Sequence, residues 1–231
     1  MAAGKVSVVL AHGAWADGSS WRKVIAQLDA QGIRAVAAPL PLSSLRDDVA
    51  ALERTLERIG GPVVLAGHAY AGAVIGATRA DAVKALVYVA ALAPDEGETV
   101  ADVFYRGDAH PQAPQLAPDR HGLIWLPDAA FAAAFAQDAT PAELTTLAAA
   151  QRPIAVASIG EAVGRPLWKD RPAWFLVAAR DRMINPATQH FMAERMRAQV
   201  RAHDVDHTPI VTAAQAATDV IVEAVRAVAA R

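Results

Sequence analysis

The sequence predicts the α/β fold class: a doubly wound, mostly parallel six-stranded sheet with helices on both faces and an inserted helical cap. Three observations point there. Short, fully apolar runs alternate with segments of helical period along most of the chain, the pattern of strands buried on both faces of a parallel sheet. One run, Val63-Val64-Leu65-Ala66-Gly67-His68, passes through small residues almost directly into the helical stretch Ala73-Val74-Ile75-Gly76-Ala77, so strand, sharp turn and helix follow with no room for a loop. Between residues 95 and 166 the alternation stops, and Pro111, Pro114, Pro118, Pro127, Pro141 and Pro153 punctuate short helical pieces. Residues 1–94 and 167–231 are therefore assigned to the core and 95–166 to a cap over the carboxyl ends of the strands.

In chain order, Val6 to Leu10 is the first strand, and Ala11-His12-Gly13-Ala14-Trp15 is the loop after it. Ser19 is the expected N-cap of a helix that carries Trp21, Val24, Ile25 and Leu28 at helical spacing and ends at Gln31-Gly32. Ile33 to Ala38 is a strand stopped by Pro39-Leu40-Pro41, and Arg46 to Ile59 is an amphipathic helix with Val49, Leu52, Leu56 and Ile59 on one face. Gly60-Gly61-Pro62 breaks it before the central strand. Val83 to Ala90 is the next strand, ending at Ala93-Pro94-Asp95. Inside the cap, Asp128 to Gln137 and Pro141 to Ala149 are the helical pieces. Pro172 to Ala178 (strand), Pro186 to Met196 (helix), Val200 to Val205 (strand) and Thr212 to Ala229 (helix) complete the core.

Composition narrows the function classes. With Lys plus Arg at 22 against Asp plus Glu at 24, and no basic run, neither nucleic acid nor an anionic membrane is an expected partner. The absence of cysteine removes disulfides, thiolate metal sites and a cysteine nucleophile. Paired histidines at metal-ligand spacing, a Gly-rich phosphate loop and a dinucleotide fingerprint are also missing, so neither metal nor cofactor is expected. Lys5 ahead of Val6-Ser7-Val8-Val9-Leu10-Ala11 imitates a secretory leader, but the run falls short of the usual length, and no segment approaches the roughly 20 apolar residues that span a bilayer. The expectation is a cytoplasmic protein. Its oligomeric state is not encoded in any feature of the sequence, and a homodimer is compatible with it.

The turn after the central strand, Gly67-His68-Ala69-Tyr70-Ala71-Gly72, has the setting of a nucleophile elbow, in which Gly-x-Ser-x-Gly holds a serine on a strained turn above a parallel sheet. Here alanine stands at the serine position. Ala66-Gly67-His68-x-Tyr70-x-Gly72 after such a strand resembles the α/β-hydrolase fold, and in particular the small bacterial esterases related to plant methylesterases and hydroxynitrile lyases, whose elbow typically reads Gly-His-Ser-Tyr-Gly-Gly. The resemblance implies catalytic groups in the order nucleophile, acid, histidine, each at the carboxyl end of a strand. It also implies that the two leading strands of larger members are absent, since only residues 1–5 precede the first strand.

By that resemblance Ala69 occupies the nucleophile position and Asp181, in Asp181-Arg182-Met183-Ile184, is the acid; Asp95 is the rival, because some members keep the acid after the preceding strand. His207, between the last strand and the last helix, is the base, and His203 is structural. An oxyanion hole needs two preorganised N–H donors. Tyr70 supplies one, and the His12-Gly13-Ala14-Trp15 loop supplies the other from Ala14, with Trp15 as the second choice. His12 is expected to tie its loop down, and His68 and Tyr70 to hold the turn. In the cap, Tyr105, His110, His121 and Trp125 are the residues that could line a pocket; Trp15 and Trp125 are taken as substrate-binding.

Alanine cannot attack a carbonyl. The reading is a relative of carboxylic ester hydrolases for small apolar or aromatic esters, hydrolytically inactive in this chain. Three origins are open: a serine deliberately replaced, a natural member using Asp181 and His207 as a base dyad for lyase-like or water-activating chemistry, and a natural binder of a small apolar ligand. Ala71, where glycine is usual, leans toward natural drift.

Overall fold

Six strands share one sheet in the computed structural model, which describes residues 6–230. Lys5 lies outside them, with the rest of the first five residues and Arg231. The strands preceding the segment 95–166 are β1 (Ser7–Ala11), β2 (Ala35–Ala38), β3 (Val63–His68) and β4 (Val83–Val89). Within that segment, β5 (Leu123–Ile124) and β6 (Ile154–Ala155) form a separate antiparallel ribbon. The last two strands are β7 (Ala173–Ala178) and β8 (Gln199–His203). The large sheet runs β2-β1-β3-β4-β7-β8 with every pair parallel. β1, β3 and β7 are buried from end to end, as their apolar runs require, whereas β8 is an edge whose Gln199 and Arg201 face solvent.

Two helix layers cover the sheet. Arg22–Ala30 packs on Ala214–Ala229, which lies across β3, β4 and β7, while Leu45–Ile59 packs on Ala71–Ala77 beside β1 and β3. The chain steps outward from β1 to β2 and then returns to place β3 on the other side of β1. That reversal opens a crevice at the carboxyl ends of β1 and β3, where a doubly wound sheet binds its ligand.

Several boundaries differ from the sequence reading. The first helix is entered through a 3-10 turn, Gly18–Trp21, capped by Asp17; Ser19 gives its N–H to Asp17 Oδ1 at 2.7 Å and is not the cap. β2 starts at Ala35 because Ile33 still gives its N–H to Leu28 O in closing the preceding helix. Asp128–Ala130 continues into a π turn, Phe131–Phe135, and stops short of Gln137. The closing stretch splits into Pro209–Thr212 and Ala214–Ala229, and β8 ends at His203. Two short helices, Val100–Phe104 and Val156–Gly160, and the β5–β6 ribbon were not anticipated.

Candidate active site

β3 runs into Ala71–Ala77 through a turn that glycine makes sterically possible. A Cβ on Gly67 would stand 2.8 Å from Ala71 O, and one on Gly72 would collide with the Leu92 carbonyl oxygen. Between them Ala69 sits at φ +50, in the left-handed region, at a strain of about 1–2 kcal/mol for a non-glycine residue. Its carbonyl accepts from Gly72 N at 3.1 Å and Leu92 N at 3.0 Å, which fixes the turn against the end of β4. The elbow thus keeps its strained form with a methyl group at its apex.

Asp181 and His207 come together at this apex from the ends of β7 and β8. His207 Nδ1 lies 2.8 Å from Asp181 Oδ2, and each residue is 2% exposed. Asp181 Oδ1 accepts from Met183 N at 2.8 Å and Ile184 N at 2.9 Å, so the turn after β7 orients the carboxylate with its own backbone. With the carboxylate as acceptor, Nδ1 carries the proton and Nε2 is left as the basic nitrogen. Asp95, the rival acid, instead pairs with Lys169 Nζ at 2.5 Å and makes no contact with His207. His203 offers the sheet only its backbone, accepting from Ala179 N at 2.9 Å.

The loop after β1 approaches from the other side of the switch point. His12 accepts Leu40 N on Nε2 at 3.2 Å and gives Nδ1–H to Gly13 O at 3.0 Å; burial holds its pKa below the usual histidine value. Gly13 lets the two loops approach closely, since a Cβ there would stand 3.0 Å from the Ala69 Cβ and 3.1 Å from His68 O. Trp15, at φ +58, gives its N–H to Arg152 O at 3.0 Å and so is not a free donor. Among the described residues, the N–H groups of Ala14 and Tyr70 have no protein acceptor. His68 Nε2–H donates to His207 O at 2.7 Å, joining the elbow to the histidine loop, and burial together with the neighbouring His207 pushes its pKa down to about 3.

Ala14, Trp15, Ala69, Tyr70 and His207 line one cavity with Phe104, Leu116, Ile124, Ile154 and Met183, and its volume is about 60 Å³. That is several times the roughly 10–15 Å³ a single water needs. Its wall is almost wholly apolar, so a ligand would be held by burial and oriented by the few polar groups at its base. Tyr105 stands at the mouth, 63% exposed. Trp125 does not reach the cavity: it is 48% exposed, with Nε1 3.3 Å from Asp119 Oδ2. The ring there is drawn outward by the Asp119 turn. His110 and His121 are likewise on the surface, bonded to Gln112 N and Arg120 Nε. Among the described residues no cluster of three or more His, Asp or Glu side chains could hold a metal, and no helix is long and apolar enough to cross a membrane.

Three buried polar residues complete the arrangement and were missed in the sequence. Gln189 donates Nε2–H to Asp181 Oδ2 at 2.8 Å while its Oε1 accepts Ala178 N at 3.0 Å, so it holds that carboxylate against the end of β7. Asp206 accepts from Asp138 N, Thr208 N and Thr212 Oγ1, and burial raises its carboxyl. Asp48 accepts Leu42 N on Oδ1 and the Tyr70 hydroxyl on Oδ2, each at 2.6 Å. The available signal for Asp48 was a carboxylate on the stripe of Leu45, Leu52 and Leu56, the buried side of its helix.

A family model described as "Alpha/beta hydrolase family" matches residues 8–221. Among solved structures, the chain is similar to a pyrethroid hydrolase from Sphingobium faniae JZ-2, at 20% identity, over 98% of this chain and 100% of that one, with a TM-score of 0.82. It is also similar to a methylesterase from Arabidopsis at 17% identity, covering 96% and 99% of the two chains with a TM-score of 0.77. A polyneuridine aldehyde esterase aligns at 16% identity over 95% and 99%, again with a TM-score of 0.77. At such identities the likeness is one of fold. No curated protein matches the chain.

Proposed function

The chain belongs to the alpha/beta hydrolase family, and on that premise we propose that its cavity is the carbonyl site of an esterase for small apolar or aromatic esters, inactive as it stands because Ala69 replaces the nucleophile. The observation that carries the reading is the buried 2.8 Å pair of His207 and Asp181 beside the same cavity as the Ala69 apex and the unpaired N–H groups of Ala14 and Tyr70. The apolar wall suits an ester without charge, and the esterase and methylesterase among the similar structures act on the same class of bond.

With a hydroxyl at position 69, the chemistry follows. The Oγ attacks the ester carbonyl as His207 Nε2 takes its proton, and Asp181 steadies the resulting imidazolium. The carbonyl electrons move onto oxygen, where the Ala14 and Tyr70 N–H groups receive the charge. Collapse expels the alcohol with the proton from His207, and water repeats the sequence on the acyl group. Without the hydroxyl the first bond cannot form. In a serine protease that loss costs about 10⁶ in turnover, roughly 8 kcal/mol of barrier.

Ala69→Ser tests this directly. On short-chain aryl esters the serine form should gain at least about 10⁴-fold in rate over the parent, take up a fluorophosphonate label, and lose both on adding His207→Gln. A folded serine form that neither labels nor turns over rejects the ester reading. The intact His207–Asp181 pair favours a second reading for that case, a base dyad in lyase-like or water-activating chemistry, which predicts that any activity of the parent chain vanishes in His207→Gln.

A further inference from the structure

Both free N–H donors at the cavity trace back to one short loop, residues 39–42. His12, which carries the loop bearing Ala14, is fixed by Leu40 N. Tyr70, the other donor, is fixed through its hydroxyl by Asp48, whose second oxygen holds Leu42 N. Leu42 sits at φ +61, in the left-handed region, and its carbonyl accepts Ala155 N from β6 in the cavity wall at 2.9 Å. Asp48 is fully buried, on the helix Leu45–Ile59, and its two 2.6 Å bonds are short and charge-assisted. Burial of this kind is costly for a carboxylate unless its acceptor positions are filled, and here each oxygen has a donor from a different part of the site.

We propose that Asp48 is a positioning residue for the oxyanion hole: through the Tyr70 hydroxyl and the Leu42 amide it aims the Tyr70 N–H at the carbonyl oxygen of the ligand. Tyr70 is the residue after the elbow apex, with φ −49, and its backbone and side chain belong to one rigid unit at the start of Ala71–Ala77. The hydroxyl is anchored 22 residues away, so the turn cannot rotate about the strand end without breaking the Asp48 bond. An asparagine at 48 offers one acceptor oxygen in place of two: with that oxygen on Leu42 N, its NH₂ faces the Tyr70 hydroxyl, which loses its acceptor and the short bond from its O–H.

The inference rests on the ester reading, and the test separates the two. Phenyl acetate carrying ¹³C at the carbonyl, bound to the parent Ala69 chain, is followed by isotope-edited infrared spectroscopy, which needs no turnover. Hydrogen bonding in the hole lowers the carbonyl stretch relative to water. Asp48→Asn and Tyr70→Phe should each lose at least half of that shift, and the double variant no more than the larger single loss, because the two changes cut one link. In the Ala69→Ser background the same pair should lower kcat more than it raises KM. A carbonyl that shows no shift in the parent overturns the ester reading and this inference with it. A shift present in the parent and retained in folded Asp48→Asn overturns the role of Asp48 alone; should that variant not fold, retention of the shift in Tyr70→Phe, which removes a single oxygen, does the same.

Discussion

His68 makes acid sensitivity a property of one side chain. Burial and the adjacent His207 hold its pKa at about 3, against 6.5 when free, and its Nε2–H must stay on His207 O. Below pH 6.5 the unfolded chain therefore takes up a proton that the folded one refuses, so the contribution of His68 is complete above pH 6.5 and is lost as the pH falls toward 3. The steepest slope for one such group is about 1.4 kcal/mol per pH unit. His12, also lowered by burial, acts in the same sense, while Asp48 and Asp206, raised by burial, act in the opposite one. Urea unfolding of the parent and of His68→Gln between pH 7 and 4 isolates the residue, because glutamine keeps a donor for His207 O and does not titrate. The parent should lose stability with acid more steeply than the variant, and equal slopes would refute the assignment. At this scale the position of Asp181 was readable because it follows the apolar run of β7, whereas His207 follows the mixed edge strand β8 and its position came from the resemblance. The sequence was not readable for Gln189, Asp206 and Asp48, whose partners are chosen by how the turns fold and not by any repeating spacing. Trp125 fails for a related reason, since an aromatic in a turn-rich segment has no period to say which side it faces.

The elbow is an element whose form depends on absent atoms. At Gly72 a Cβ would meet the Leu92 carbonyl oxygen and, at 2.9 Å, the Ala91 Cβ, both fixed on the segment that follows β4. No flexible side chain is there to yield, so the helix Ala71–Ala77 would have to move off the sheet. Gly72→Ala is expected to cost about 3 kcal/mol, near the upper end for overpacking, and to lower Tm by roughly 6–12 °C. Gly32→Ala is the control: it has open space around it at φ +70, in the turn that closes the first helix, and should cost only the left-handed strain, about 1 kcal/mol. Equal losses in a thermal melt would mean that backbone conformation, not the Leu92 contact, governs both. The same contrast explains how well the elements could be read. Most of the core strands are apolar runs, β8 with Gln199, Arg201 and His203 being the exception, and their ends were legible to within two residues. The ribbon has two residues per strand, and Val100–Phe104 is held by the reciprocal Thr99–Asp102 cap, with too few turns to show a period. The Thr-x-x-Asp spacing was its one readable signal.

Across the whole molecule, polar contacts join the segment 95–166 to the core: Glu143 pairs with Lys23 at 2.7 Å and Glu98 with Arg195 at 2.9 Å, and two further joints are built around Arg152 and Asp138. On one side Arg152 gives Nη1–H to Leu40 O at 2.9 Å and Nη2–H to Pro41 O at 3.4 Å, while its own carbonyl takes Trp15 N and the Trp15 indole reaches Ile124 O at 2.9 Å. On the other side Asp138 is held by the Arg180 fork, at 3.1 and 2.6 Å, and by Asp206, with Arg182 on Ala133 O. Because these joints use backbone carbonyls and charged groups, the wall between them is free to be apolar. Such joints also set how independently the segment can open. Arg152→Met keeps most of the side-chain volume and removes the guanidinium bonds to the loop 39–42, each worth about 1.5–3 kcal/mol as hydrogen bonds to a charged group. The amides of Ala155 and Val156, which give to Leu42 O and Gly122 O, should then exchange at least about tenfold faster. The amides of β3 and β4, inside the sheet, should keep their protection. If β3 and β4 accelerate equally, the segment and the sheet unfold as one unit and Arg152 holds the whole fold; if neither changes, the remaining joints fix the cavity wall without Arg152.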